Sequence, residues 1–326
     1  MPGRRRAVTW AVGLAVTALA LTLPLYASGS GLFLWETIAV QILFAVSVNV
    51  LLGYADIPSF GQAAYFGIGA YITALMAQHG LPTPVVVLAG TTGGGLAAAA
   101  AGLVTVRATG IAFSMLTLAI AQGVYTLVFH APVLGGENGI PAISRVDLGP
   151  IELSRNRVYW YLLVACVAAG IAGYRVVIGS PFGHALQAIR EDPRRAAFLG
   201  LDLRLYRVAA FTLAGFGAGL AGSLFAYASQ IVTPEVMYWT QSGNPIIMAL
   251  IGGMHSFYGP ALGAVIFTYL LHELGHVTPA FNMYLGLVFL GFLIFLPGGA
   301  VSAPAAARTM LRRAFARVGR ERKARP

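Results

Sequence analysis

Residues 207–226 read RVAAFTLAGFGAGLAGSLFA, an apolar run that is long enough to cross a membrane and rich in small residues. A membrane-spanning helix needs roughly 20 mostly apolar residues. Helices in a bilayer associate through close packing, which small contact residues allow. Gly215 and Gly219 form a G-x-x-x-G pair in this run, and Gly259 and Gly263 form another pair further along. The stretch therefore predicts one helix of a tightly packed transmembrane bundle.

The rest of the chain has the same character. Its 326 residues are 58% hydrophobic and 10% charged, whereas soluble domains carry about 25% charged residues. The apolar runs predict an all-α polytopic transmembrane bundle with about ten segments, in a single domain over 1–326. The runs lie at 8–26, 32–52, 61–78, 82–104, 111–131, 158–178, 207–228, 243–254, 258–277 and 281–297.

The basic residues predict the orientation. The chain has 21 Lys and Arg against 11 Asp and Glu, and cytoplasmic loops of membrane proteins are enriched in Lys and Arg. If the N-terminus is cytoplasmic, 18 of the 21 fall on that side, chiefly in the connection 179–206 and the tail 303–326. We therefore expect a bacterial-type inner-membrane protein with both termini in the cytoplasm. The basic residues then set the orientation of the protein in the lipid membrane. No nucleic-acid partner is expected.

The N-terminal segment and the single cysteine restrict how the chain can be processed and cross-linked. The N-terminus has Arg4, Arg5 and Arg6 before an apolar stretch, which is interpreted as an uncleaved first helix, with a cleaved signal peptide as the alternative. Cys166 is the one cysteine, which excludes an internal disulfide and a cysteine-based zinc site.

The connection 179–206 contains EDPRRAAFLG, starting at Glu191. Asp192 is a good N-cap residue, and Pro193 suits the first helical position. Gly200 is placed to end the helix with a positive φ. A short helix with an apolar and a basic part suits docking into a partner's groove. The alternative is an ordinary loop that only sets topology.

This segment resembles the coupling loop of branched-chain amino acid ABC-transporter permeases, with the Ala-Ala-x-x-Gly core at Ala196, Ala197 and Gly200. The resemblance covers most of residues 40–300, and the order of its motifs best suits a LivM-type subunit. Further matching stretches are NVLLGYADIPSFGQAAYFGIGAYITAL at 49–75, GIAFSMLTLAIAQ at 110–122, GGENGI at 135–140, IGGMHSFYGPALGA at 251–264 and the closing LPGG.

The chain departs from the family pattern at one place. The family usually has Gly-Gln-Leu-Ser where this chain has the four residues from Asp56 to Ser59, and often a histidine where this chain has Gln62. Both changes lie at a predicted helix break near the inner mouth. They bear on the identity of the substrate more than on the class of protein.

The resemblance implies the membrane subunit of an importer, not an enzyme, working by alternating access. The expected partners are two ATPases that bind the ATP, a second related permease subunit and an external substrate-binding protein. No cofactor is expected in this chain, which has no P-loop pattern. Leucine, isoleucine and valine are the default cargo, with urea, short amides and other amino acids as alternatives. A copy of the chain itself is the alternative second permease.

The resemblance also implies which residues couple the chain to the ATPases: Arg190, Glu191, Asp192, Arg194, Arg195, Ala196, Ala197 and Gly200. Arg194 and Arg195 could equally be simple topology charges.

Polar residues near helix breaks are candidates for the substrate path, because half-helix N-termini can hold a carboxylate. They are Asn49, Asp56, Ser59, Gln62 and Asn244. Asn244 and Pro245 predict a cap and first turn on the outer side. The alternative is that these side chains only satisfy backbone groups at the breaks.

Two other classes of protein compete with this interpretation. HELGH at 272–276 fits the H-E-x-x-H zinc pattern of metalloproteases, but Pro279 and Asn282 stand where the extended motif needs a glycine and a third histidine. No metal site is therefore predicted. An ion-coupled secondary transporter would need ionisable residues inside the membrane, whereas the acidic residues here lie almost all at span ends or in loops.

Overall fold

A computed structural model describes residues 29–146, 156–277, 281–296 and 298–302, together with 22 and 24. The protein is an all-α helical bundle, as predicted. Its helices are α1 (Gly29–Asn49), continued by a π-helical turn (Val50–Tyr54), α2 (Gln62–Gln78), α3 (Thr83–Thr105), α4 (Ile111–Phe129), α5 (Asn156–Ile178), α6 (Pro181–Glu191), α7 (Pro193–Phe198), α8 (Leu203–Ser229), α9 (Trp239–Gly252), α10 (Gly259–Val277) and α11 (Phe281–Phe295). Short 3-10 turns occur at Pro132–Leu134, Gly136–Asn138, Pro234–Met237 and Ala300–Ser302, and strands β1 (Ile140–Pro141) and β2 (Ile231–Val232) pair antiparallel.

Within the described residues, five helices are long and apolar enough to cross a membrane. They are Gly31–Tyr54, Thr83–Thr105, Ile111–Phe129, Asn156–Ile178 and Leu203–Ser229. Each predicted run from 32 onward coincides with a helix, but α2, α9 and α11 have only 17, 14 and 15 residues, so ten spans are not confirmed. The predicted first span 8–26 and the basic tail 303–326 lie outside the described residues. The single domain over 1–326 therefore stays a prediction.

Contacts between connections define two ends of the bundle. At one end, the Thr83 hydroxyl donates to the Val146 carbonyl at 3.0 Å, and β1 pairs with β2. At the other end, the Arg190 guanidinium donates to the Gly53 carbonyl. We call the first the outer end and the second the inner end. The alternation of ends agrees with the predicted topology, whereas the membrane side that each end faces stays a prediction.

A buried arginine ties the outer connection to the bundle. Arg145 is 7% exposed, and its Nε and Nη2 donate to the Tyr227 carbonyl at 3.1 and 2.6 Å. Its Nη1 donates to Asn156 Oδ1 at 2.8 Å, and the guanidinium lies 3.8 Å from the ring centre of Tyr159. Burying a charge requires such compensation. Arg145 thus has a structural role at the outer end.

Helix α8 is the centre of the bundle and packs mainly against α3 and α2. Both predicted G-x-x-x-G pairs make close contacts. A Cβ added at Gly219 would lie 2.9 Å from the Gly90 carbonyl oxygen on α3, and one at Gly215 would lie against Ala98. The second pair, Gly259 and Gly263, lies against the backbone of α9 and the turn after it. Small residues therefore set how closely these helices approach.

Candidate coupling site and substrate path

Helix α7 confirms the capping prediction. The Asp192 carboxylate accepts hydrogen bonds from the backbone amides of Arg194 and Arg195 at 3.0 and 3.1 Å. Pro193 is the first helical residue, and Gly200 follows the helix with a φ of 84°. Because each of these contacts is local, the residue types alone were enough to predict them.

Most of α7 is turned away from the bundle. Ala196 is buried, while Ala197 is exposed and the side chains of Phe198 and Leu199 are 92% and 80% exposed. Exposed apolar groups in an otherwise basic segment are typical of a docking surface, and aromatic anchors dominate many interfaces. Phe198 and Leu199 were missing from the predicted coupling residues. The signal was present, since they are two large apolar residues in a segment predicted to lie outside the membrane.

Removing the cap should loosen α7. In Asp192→Ala we expect amide hydrogen exchange over residues 193–198 to quicken roughly fivefold, since an N-cap contributes about 1 kcal/mol. The ion pair of Asp192 with Arg195 at 2.8 Å is exposed and adds little. Hydrogen exchange with mass spectrometry measures this. Asp202→Ala is the matched control, because Asp202 caps α8 in the same way and should affect only residues 203–206. Equal exchange over 193–198 in both variants would contradict the assignment.

Arg190 connects the coupling segment to the helix break of α1. It lies near the end of α6, is half-buried, and donates from Nη1 to the carbonyl oxygen of Gly53 in the π-helical turn. The two residues are 137 positions apart in the chain. This hydrogen bond therefore joins α6 directly to the backbone at the end of α1.

Gly53 belongs to a junction of glycine backbones at the inner end. A Cβ at Gly53 would lie against the Met254 carbonyl oxygen, and one at Gly252 against the carbonyl of Gly259. A Cβ at Gly299 would lie against the amide nitrogen of Gly253. We call this set the glycine junction: Gly53, Gly252, Gly253, Gly259 and Gly299. Three of the motifs that carried the family resemblance meet here, next to Arg190.

Four of the five predicted substrate-path residues lie along the break between α1 and α2. Asn49 is buried with Oδ1 unbonded, and Ser59 Oγ accepts from the Gly61 amide at 3.2 Å. Asp56 has a φ of 53°, which confirms a break, and it is exposed in a cleft of about 50 Å³ beside Arg207. This volume suits a few waters. Gln62 is fully buried, and neither of its side-chain amide atoms has a partner.

Hydroxyl groups from two other helices accept hydrogen bonds from the backbone at the start of α2. The Phe60 amide donates to Thr117 Oγ1 on α4 at 3.3 Å, and the Ala63 amide donates to Ser242 Oγ on α9 at 2.9 Å. These two backbone donors, which could otherwise hold a carboxylate, are therefore already used within the protein. For Ser59 and this helix start, the contacts agree with the alternative that polar groups satisfy backbone at the break. Neither Thr117 nor Ser242 was predicted.

The prediction of a helix start at Asn244 is wrong. Helix α9 begins at Trp239, because the Tyr238 carbonyl accepts from the Gln241 amide at 2.9 Å. Pro245 lies inside the helix, where it removes one backbone hydrogen bond. Asn244 instead donates from Nδ2 to Gln241 Oε1 at 2.7 Å, on the helix whose Ser242 binds the start of α2.

The HELGH sequence lies at the end of α10. The side chains of His272 and Glu273 are exposed. Among the described residues, no three His, Cys, Asp or Glu side chains are grouped so that they could hold a metal ion. A catalytic zinc needs three protein ligands, so the described part of the chain does not favour the metalloprotease alternative.

Comparison with known proteins finds a family and several sequence relatives. Residues 32–297 match the family described as the permease component of the branched-chain amino acid transport system. The high-affinity branched-chain amino acid permease protein LivM of Escherichia coli (strain K12) is 27% identical over 283 residues, covering 77% of this chain and 65% of LivM. The probable permease protein LivH of Methanocaldococcus jannaschii is 24% identical over 242 residues, covering 69% and 74% of the two chains.

A third relative is named for a different cargo. The autoinducer 2 import permease protein LsrC of Yersinia enterocolitica is 28% identical over 204 residues, covering 58% of this chain and 53% of LsrC. The chain spans 65% of the length of two LivM relatives, slightly less than two thirds. No solved structure matches the chain. These similarities favour neither the metalloprotease nor the ion-coupled carrier.

Proposed function

The chain belongs to the family of branched-chain amino acid transport permeases, and from this premise we propose that it is the membrane subunit of an ATP-driven importer. It carries small amino acids across a bacterial inner membrane by alternating access. Leucine, isoleucine and valine are the proposed cargo, since the LivM relatives are named for branched-chain amino acids. The relative named for autoinducer 2 makes a small non-amino-acid solute the second candidate.

The proposed complex contains two permease subunits, two ATPases and an external substrate-binding protein. The ATPases bind the ATP, so this chain carries no cofactor and no catalytic residue of its own. The observation that supports this assembly best is the surface of α7, where Phe198 and Leu199 stand exposed beside Arg194 and Arg195. An apolar anchor surrounded by charge suits a groove on an ATPase.

The proposed coupling route runs from α7 through α6 to the glycine junction. An ATPase that moves α7 also moves Arg190, because α6 and α7 are adjacent in the chain and packed together. The hydrogen bond from Arg190 to the Gly53 carbonyl then moves the π-helical turn at the end of α1. Asn49 and Gln62 lie on the two sides of this break, so the polar residues near it shift with the ATPase cycle.

Loss of this bond should uncouple transport from ATP hydrolysis. In Arg190→Met the stem of the side chain is kept and its donors are lost. We expect uptake per ATP hydrolysed to fall about tenfold, since a hydrogen bond from a charged group contributes roughly 1.5–3 kcal/mol. Reconstituted vesicles allow both rates to be measured on one sample. Arg190→Lys retains a donor and should recover much of the ratio, whereas a merely structural role would lower both rates in proportion and leave the ratio unchanged.

The function itself is tested by isolating the complex. A tagged chain purified from native membranes should retain ATPase subunits and a related permease, both identified by mass spectrometry. Radiolabelled leucine uptake into vesicles that also contain the binding protein should then depend on ATP, and isoleucine and valine should compete. A lone chain without ATPases would contradict the importer. An intact complex that transports another solute would change only the cargo.

A further inference from the structure

Helix α9 begins inside the bundle, far from either end. The Ser242 hydroxyl accepts from the Ala63 amide at 2.9 Å, and Ala63 lies fifteen residues before the outer end of α2 at Gln78. At 1.5 Å per residue this is about 22 Å from the outer end. Ser242 lies ten residues before Gly252 in the glycine junction, which is about 15 Å from the inner end.

A second helix also places the start of α2 well inside the bundle. Thr117 on α4 binds the Phe60 amide just before α2 begins. It lies about 9 Å from the inner end of α4 at Ile111 and about 18 Å from the outer end at Phe129, at 1.5 Å per residue. The first turns of α9 are therefore at the depth of the hydrocarbon core, which is about 30 Å thick.

The surface of α9 at this depth is polar. Thr240 and Gln241 are exposed, and Asn244, one turn further along, is half-buried. Glu235 is exposed in the 3-10 turn that leads into the helix. A Cβ added at Gly243, between Gln241 and Asn244 in the chain, would have no atom within 4 Å, so the space at this point of the helix surface is open. We call this set the polar face: Glu235, Thr240, Gln241 and Asn244.

Neighbouring membrane-facing surfaces are different. On α3, Leu88, Leu96 and Leu103 are exposed, and on α4, Met115 and Leu127 are exposed. Such side chains suit contact with lipid tails. Amide and carboxylate groups that face lipid cost several kcal/mol each, so polar surface at this depth occurs where it lines a cavity or meets protein. The polar face is therefore not a lipid-facing surface.

We propose that the polar face borders the aqueous translocation path, and that the second permease subunit closes this path from the opposite side. The inference rests on the proposed function and locates the path within it. The chemistry suits a small zwitterion, because the Glu235 carboxylate can accept from an ammonium group and the amides of Gln241 and Asn244 can donate to a carboxylate. The same surface is flanked by Tyr238 and Trp239, which are 36% and 37% exposed. Their rings suit contact with the apolar side chain of the transported zwitterion.

Cysteine accessibility in native membranes tests the proposal. In a Cys166→Ala background, Gln241→Cys and Asn244→Cys are treated with a charged, membrane-impermeant methanethiosulfonate. Both should react about 100-fold faster than Met115→Cys, the lipid-facing control, because the attacking thiolate forms in water and not in lipid. A bifunctional thiol reagent at Gln241→Cys should also capture the second permease subunit.

The outcomes separate this inference from the function it rests on. If the complex contains its ATPases and second permease, but Gln241→Cys reacts only with a lipid-soluble maleimide as Met115→Cys does, the path lies elsewhere and only this inference falls. If no partner subunits are recovered, the proposed function falls and the inference falls with it. Asn244→Leu gives a functional check, with uptake reduced about tenfold while the ATPases remain bound; unchanged uptake would contradict a path at this face.

Discussion

Phe198→Asp is expected to remove the ATPases from the purified complex and to abolish ATP-dependent uptake. Phe198 is 92% exposed in this chain, so its large apolar surface is available to a partner. Aromatic residues at the centre of an interface typically contribute about 2–4 kcal/mol. A carboxylate placed in the same groove adds a desolvation cost. We expect the affinity for the ATPases to fall at least about 100-fold, which corresponds to about 2.8 kcal/mol.

Two controls make this result specific. Phe198→Tyr keeps the ring and should retain the ATPases. The thermal unfolding of Phe198→Asp should match the wild type, because an exposed side chain contributes little to the packing of the bundle. Co-purification after mild detergent extraction, followed by an uptake assay, gives both readouts. If Phe198→Asp retains its ATPases and transports normally, the exposed tip of α7 is not the docking surface.

The features predicted correctly from the sequence are those that depend on nearby residues. The cap at Asp192, the first-turn proline and the terminating Gly200 need only contacts within one turn. The apolar runs from residue 32 onward coincide with helices because burial in lipid needs a continuous apolar stretch. The G-x-x-x-G pair at Gly215 and Gly219 could be assigned to helix packing, since small residues one turn apart have few other uses in a membrane.

Two of the features that were missed depend on distant contacts, whereas the misplaced start of α9 has a local cause. The bond between Arg190 and Gly53 joins residues 137 positions apart, and nothing in either neighbourhood indicates the other. The hydroxyl of Ser242, 179 positions from Ala63, could not be assigned to the start of α2. The start of α9 was misplaced because an Asn-Pro pair is typical of a cap, whereas the preceding turn had already begun the helix. The roles of the predicted coupling and substrate-path residues stay predictions.

Gly222→Leu is expected to prevent the bundle from assembling. Gly222 lies on α8 where it crosses α2, and a Cβ added there would lie 2.7 Å from the Phe66 carbonyl carbon and 3.2 Å from the Ala70 amide nitrogen. Both atoms belong to the helix backbone, so no side-chain rotation relieves the overlap and the two helices must separate. Overpacking commonly costs about 1–3 kcal/mol and more where backbone must move, against a total stability of about 5–15 kcal/mol.

Gly173→Leu is the matched control for this loss. Gly173 also lies in a long apolar helix, α5, but a Cβ added there would have nothing within 4 Å, so the larger side chain should be tolerated. We expect Gly173→Leu to give wild-type amounts of monodisperse protein after detergent extraction, and Gly222→Leu to give almost none. Gly222→Ala should fall between them, with a lower unfolding temperature, because its single methyl group already reaches the α2 backbone. Equal yields from the two leucine variants would mean that α8 and α2 do not pack backbone to backbone in the membrane.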